Sequence, residues 1–158
     1  MAEEKSDKSI KIVCENRKAR HNYHIEERME AGMVLTGTEV KALRDGKAHL
    51  QDAYAIFKGG ELFLINANIS PYALGNRANH EALRTRKLLL HQAELSKLWG
   101  KIEIKGYSLI PLKIYFKNGR AKVEVALARG KKSFDKREVT KEREAQRDLA
   151  KAMKLKNR

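Results

Sequence analysis

The side chains able to do chemistry fall into three groups, and only one has a spacing that commits it to a task. Five histidines invite a metal or an acid–base role. His21 and His24 stand three apart, but the sequence predicts no helix there to place them on one face, and no third ligand accompanies them. His49, His80 and His91 are scattered, without metal-ligand spacing. Glu26, Glu27 and Glu30 form the second group. Along a strand Glu26 and Glu27 point to opposite faces, whereas a two-metal nuclease site needs oxygens converging on the cations. There is no Gly-x-Ser-x-Gly, phosphate-binding loop or dinucleotide fingerprint. No active site, metal or cofactor is therefore expected. The third group is cationic. Asn16-Arg17-Lys18-Ala19-Arg20-His21-Asn22-Tyr23 sets three permanent cations beside amides and an aromatic ring, and Arg84-Thr85-Arg86-Lys87 sets three more ahead of Leu88-Leu89-Leu90. Cations bind phosphate, Arg and Tyr stack on bases, and Asn or His reads base edges. Arg84, Arg86 and Lys87 are read as exposed, so reversing their charge should leave the fold intact. The chemistry is nucleic-acid binding.

Composition supports a polyanionic partner. The 158 residues hold 34 Lys+Arg against 20 Asp+Glu, a net charge of +14. This length fits one domain with a real core, and 42% apolar residues with two prolines argue a folded chain. No apolar run approaches the ~18 residues of a membrane span, and the start, Met1-Ala2-Glu3-Glu4-Lys5, lacks a signal-peptide core. A lone Cys14 excludes an internal disulfide. A cytoplasmic protein with no membrane partner is expected.

The elements that must position these residues read mainly as β. In residues 109–128, Leu112, Ile114 and Phe116 alternate with Lys113, Tyr115 and Lys117. Asn118-Gly119 then supplies a tight turn, and Ala121, Val123, Val125 and Leu127 continue the apolar face. A second hairpin pairs residues 54–57 with 62–65 across Lys58-Gly59-Gly60-Glu61. A long strand is expected over residues 23–35, kinked near Gly32. Thr36-Gly37-Thr38-Glu39 matches a capping box for a helix ended by Gly46. Residues 92–102 carry Leu95, Leu98, Trp99 and Ile102 at helical spacing. Between the second hairpin and this helix runs a long connection, residues 66–91, with Arg77, Arg84, Arg86 and Lys87; such connections are usually functional or mobile. Short hairpin strands with inserted and peripheral helices suit an OB-fold-like antiparallel β-barrel better than a β-sandwich. The expected division is a flexible N-terminus (1–11), the barrel (12–130) and a basic C-terminal tail (131–158).

Half of the net charge lies in residues 129–158, with 12 Lys/Arg against 5 Asp/Glu. Ala145, Leu149 and Met153 recur at spacing four, and Glu138/Lys141, Glu144/Arg147 and Asp148/Lys151 are opposite charges at spacing three. That pattern permits a helix, with an apolar stripe too thin to dock firmly on the chain's own core.

Four segments carry a family resemblance: residues 16–54, NANISPY (66–72), RTRKLLLHQAEL (84–95) and GKKSFDKR (130–137). In order and spacing they resemble the small protein B family, the binding partners of bacterial tmRNA. The resemblance implies a non-enzymatic adaptor with an OB-fold barrel and a tail that is disordered when free and helical when bound. It would bind the tRNA-like domain of tmRNA and deliver it to ribosomes stalled without a codon. There it would engage the small-subunit decoding region and mRNA channel, with elongation factor Tu and alanyl-tmRNA as further partners on the same complex. Translation would then switch to the tmRNA frame and tag the nascent chain for degradation.

Carried over position by position, the resemblance implies tmRNA binding by Glu30, Leu89 and His91, with Asn16, Arg17 and Lys18 in the matching N-terminal basic segment. Arg20, Tyr23, Arg84, Arg86 and Lys87 join them on the bottom-up reading. It implies a ribosome and tagging role for Gly130, Lys131, Lys132, Phe134, Asp135, Lys136 and Arg137. Two positions depart from the family. His91 stands where some members carry Asn and keeps a polar ring. Phe134 stands where His is common; it can stack on a base but cannot donate a hydrogen bond.

Lys/Arg–phosphate binding has a direct signature in salt. The log of the RNA affinity should fall against log salt with a slope of about −0.7 to −0.9 per neutralised phosphate. A salt-independent affinity, measured by titration over a salt series, would exclude phosphate contacts as the source of binding.

Overall fold

The computed structural model describes residues 10–75, 79–104, 106–130 and 133–156. Arg77, Lys131, Lys132 and most of the expected N-terminal segment lie outside them. In chain order the elements are β1 (Ile10–Glu15), α1 (Arg17–Asn22), β2 (Tyr23–Met33), α2 (Gly37–Arg44), β3 (Ala48–His49), β4 (Tyr54–Lys58) and β5 (Glu61–Ile65). They continue with β6 (Asn68–Ile69), β7 (Arg86–Leu89), α3 (Gln92–Ile102), β8 (Tyr107–Lys117), β9 (Arg120–Gly130) and α4 (Ser133–Lys156). The strands run β8-β4-β5-β7-β2-β9, and β9 pairs back onto β8 to close a ring; β1 adds to β8 outside it. All the pairings are antiparallel. This is an OB-fold-like barrel with peripheral helices.

Both hairpins follow from their turn residues. Asn118 and Gly119 take φ of 52° and 77°, and Gly59 and Gly60 take 61° and 78°. Two successive positive φ values match the right-handed twist of the flanking strands. The one-face reading of the β8–β9 hairpin needs correction. The register shifts between Pro111 and Lys113, and one inserted residue inverts the alternation. Leu109, Ile114 and Phe116 face the main core, whereas Leu112 joins Ile110, Ala126 and Ala128 in a second cluster beneath Ala19. The register irregularity of β2 falls between Ile25 and Glu27, while Gly32 pairs regularly with Leu89 and Lys122.

The connection over residues 66–91 is ordered wherever it is described. β6 pairs with β3 through Ala48↔Ile69, and β7 fills the gap between β5 and β2. The Asn79 side chain bonds both backbone groups of Tyr72, at 3.1 and 2.7 Å. His80 bridges Thr38 Oγ1 and the Ile69 carbonyl, each at 2.9 Å. The main core gathers Leu43, Leu50, Leu62, Leu64, Leu88, Leu98 and Val125 inside the ring, each such side chain contributing about 1.5–3 kcal/mol on burial.

One polar cluster interrupts that core. Glu39 and Arg86 are both 0% exposed and paired, Arg86 Nε donating to Glu39 Oε2. The Arg86 guanidinium also donates to the carbonyls of Ala67 (2.6 Å), Ala82 (3.1 Å) and Glu81 (3.3 Å). Glu39 Oε1 accepts from the Thr36 amide at 2.9 Å, completing the capping box of α2, and from Arg84 Nη2 at 2.6 Å. Arg86 is therefore not an exposed cation. Strand alternation sends it inward with Leu88, while Lys87 and Leu89 point outward. Arg84 is half-buried against Glu39 and the Val34 carbonyl, and Lys87 pairs with Glu61 at 2.9 Å.

Burial alone would raise the Glu39 carboxyl pKa, but bonds from Arg84, the Thr36 amide and Arg86 outweigh it and hold it at about 2. The folded-state value lies below the ordinary 4.5, so the pair's stabilisation is present above that value and is lost as pH falls toward 2. Arg86→Ala leaves a buried carboxylate without its partner and should cost about 3–5 kcal/mol, read as a lowered Tm by circular dichroism. A triple reversal of Arg84, Arg86 and Lys87 to Glu should unfold the protein. Wild-type stability for either variant would remove the pair from its structural role.

Candidate nucleic-acid interface

β2, β7 and α3 enclose a groove of about 680 Å³, and the residues converging on it include Glu30, Leu89 and His91. Each arrives by a different local rule. Leu89 points outward at the end of β7, 51% exposed, and its strand partner is Gly32. A Cβ on Gly32 would stand 3.4 Å from Leu89 Cβ, so the glycine leaves the leucine lying across bare backbone. His91 is the N-cap of α3, with extended backbone and no side-chain capping bond, which leaves its exposed ring facing the groove mouth.

Glu30 points outward from β2. Its carboxylate accepts from the buried Tyr115 hydroxyl and lies 3.5 Å from Lys117 Nζ. Burial first, then the Glu30 carboxylate, pushes the Tyr115 phenol well above its ordinary range, so Tyr115 stays a donor and fixes the carboxylate. The simple alternation expected for Glu26 and Glu27 does not hold, because the register shift between Ile25 and Glu27 makes Glu26 the inserted residue of a bulge. Glu26 takes the Tyr107 hydroxyl at 2.7 Å. Glu27 binds Lys101 and lies 3.7 Å from Lys97, clamping α3 onto β2; the Lys101 bond holds its carboxyl below the ordinary range. Arg28, Lys97 and Lys122 line the groove as cations. It thus offers an apolar floor, a fixed acceptor, an imidazole and a rim of mixed charge in which Glu27 and Glu94 stand among the cations.

The N-terminal cluster lies elsewhere. Residues 17–22 form a helix the sequence reading did not expect. Ala19, 2% exposed, anchors it against the second core cluster. Asn16 fixes its start: its side-chain amide donates to the carbonyls of Pro111 (3.0 Å) and Leu50 (3.4 Å). Asn16 is therefore a structural tie, whereas Arg17, Lys18 and Arg20 stand outward on α1. Lys18 and Tyr23 line a second groove of about 640 Å³ on the other side of α3. Gly130 ends β9, and Phe134, Asp135, Lys136 and Arg137 fall in the first turns of α4. Leu149 and Met153 on α4 remain exposed, in keeping with the thin stripe read from sequence. Tyr115 and Lys117, which hold Glu30, escaped that reading, because the two contacts depend on how three adjacent strands are registered. Among the described residues no cluster of three or more His, Cys, Asp or Glu side chains is placed to hold a metal ion.

Comparison with known proteins is consistent along the chain. Residues 13–155 match the family described as SmpB protein. An SsrA-binding protein of Geobacter sulfurreducens is 57% identical over 148 residues, 94% of this chain and 97% of its own length. One from Desulforudis audaxviator is 60% identical over 142 residues, 90% of this chain and 93% of its own. A solved chain described as "tmRNA-SmpB: a journey to the center of the bacterial ribosome" superposes with a TM-score of 0.65 at 56% identity, covering 75% of this chain and 84% of that one.

Leu89→Ala and His91→Ala remove exposed groups. Each should leave the Tm nearly unchanged, within about 1 kcal/mol of stability, while weakening RNA binding measured by filter retention. A Tm that falls in step with the affinity would make Leu89 a packing residue instead.

Proposed function

The chain belongs to the SmpB family, and from that premise we propose how its two parts divide the work of ribosome rescue. It is a tmRNA-binding adaptor of trans-translation and not an enzyme; its partners are tmRNA and the ribosome. The convergence of Glu30, Leu89 and His91 on one groove carries the placement of the tmRNA site. There the Leu89 surface packs against a sugar or base face, His91 and the fixed Glu30 carboxylate meet base or ribose edges, and Lys97 and Lys122 meet phosphate. Arg86 contributes by holding β7 in register, not by touching RNA.

The tail supplies the second contact. α4 spans 24 residues, about 36 Å at 1.5 Å per residue, and its charged surface suits the rRNA-lined mRNA channel of a ribosome without a codon. Asp135, Lys136 and Arg137 open that helix where it leaves Gly130, so they sit nearest the decoding region. Elongation factor Tu with alanyl-tmRNA completes the proposed complex. No described helix is long and apolar enough to cross a membrane, and we place the protein in the cytoplasm, with the ribosome.

Because the ring closes without the tail, truncation after Gly130 should retain tmRNA affinity apart from some non-specific attraction, yet abolish tagging in a reconstituted stalled-ribosome assay. Asp135→Ala combined with Lys136→Ala and Arg137→Ala should behave likewise. Lost high-affinity tmRNA binding, or efficient tagging by the truncated protein, would refute the division.

A further inference from the structure

The second groove has chemistry of its own. It lies between α1, β4, β8 and α3, and its lining includes Lys18, Asn22, Gln51, Tyr54, Ile56 and Trp99. Lys18, with Asn16 and Tyr23 on the same lining, belongs to the positions discussed for tmRNA; the others do not. We propose that this groove is a stacking site for an unpaired nucleotide of single-stranded RNA; the proposal rests on the reading of the chain as an RNA-binding protein.

Three observations favour a nucleobase as the occupant. First, Tyr54, Ile56 and Trp99 are 39%, 40% and 49% exposed, a local concentration of large apolar surface on a highly charged protein. Second, the Trp99 ring is held edge-on to Phe57, with centroids 5.3 Å apart at 80°, so it is fixed in orientation while half of it meets solvent. A fixed, solvent-facing aromatic ring is what base stacking requires. Of the two other tyrosines lining the groove, Tyr107 is covered by Arg129 at 4.3 Å and Tyr23 packs against the second core cluster, which leaves Tyr54 and Trp99 as the platform. Third, the neighbouring α1 carries Arg17, Lys18 and Arg20 with no acid in its first turn. Those cations suit the phosphates flanking a base, and the amides of Asn22 and Gln51 suit its edge. The volume, about 640 Å³, is that of a small-ligand site.

The two grooves are separate. Successive positions on a helix turn by about 100°; Lys97 and Leu98 face the first groove, while Trp99 and Ile102 face the second.

Trp99 is the single tryptophan, so the protein's tryptophan fluorescence reports the surroundings of this one ring. Titrating the full-length protein with a short unstructured RNA should quench it saturably, and an abasic strand with the same backbone should not. Tyr54→Leu should weaken binding of that RNA about tenfold, the loss of one base–aromatic stack, whereas Tyr54→Phe should retain it. His91→Ala, which tests the first groove against tmRNA, should leave this quench in place, so failure at one groove is distinguishable from failure at the other. Repeating the titration with tmRNA and with small ribosomal subunits identifies which RNA supplies the nucleotide; quenching by either supports the site. RNA binding without quenching, equal affinity for the abasic strand, or wild-type affinity in Tyr54→Leu would overturn it. Quenching by RNA-free ribosomal proteins alone would assign the groove to a protein instead.

Discussion

The buried pair of Glu39 and Arg86 is the constraint on which both the barrel and its RNA face depend. A carboxylate and a guanidinium taken out of water are tolerated only when nearly every donor and acceptor is matched. Here the guanidinium reaches three carbonyls besides Glu39, and the carboxylate serves Thr36 and Arg84 as well. That satisfaction ties three otherwise separate segments together: the first turn of α2, the connection after β5, and β7. Directional bonds of this kind fix register in a way that interchangeable leucines do not. With β7 one residue out of register, Leu89 would turn inward and the groove would lose its floor.

The rest of the ring relies on longer, more forgiving pairings. β8 and β9 form an extended hairpin, and β9 continues onto β2 along most of its length. The seams are short by comparison: β4 meets β8 at Ala55↔Leu109, and β2 meets β7 at Gly32↔Leu89 and Met33↔Leu88. Bulges in β2 and β8 supply the extra twist that bends long strands around a small barrel. The groove lined by Glu30, Leu89 and His91 thus sits at a narrow seam, on the strand that Arg86 anchors.

Local chemistry was legible in the sequence, and non-local chemistry was not. The two tight turns, the α2 capping box, α3 to the residue and the end of β9 at Gly130 all follow from neighbours along the chain. The box glutamate shows where such reading stops. Glu39 was recognised as a cap, but its second role depends on an arginine 47 positions away. Arg86 looked like part of an exposed cationic run because its neighbours are basic; only placement in a strand reveals that it alternates inward. α1 escaped for a similar reason, since its start is held by Asn16 reaching the carbonyls of Leu50 and Pro111. Glu30, Leu89 and His91 were found through resemblance, and their meeting in one groove is a product of tertiary structure.

α3 is a shared wall between the two grooves, and a helix with its side chains is only about 10–12 Å across. With tmRNA in the first groove and a second RNA in the other, as proposed, two polyanions approach to about that separation, little more than the ~8 Å Debye length of physiological salt. Bare nucleic acid resists such an approach. The charge of +14 then does more than attract either partner: placed between them, it acts as the counterion that lets one RNA lie alongside another.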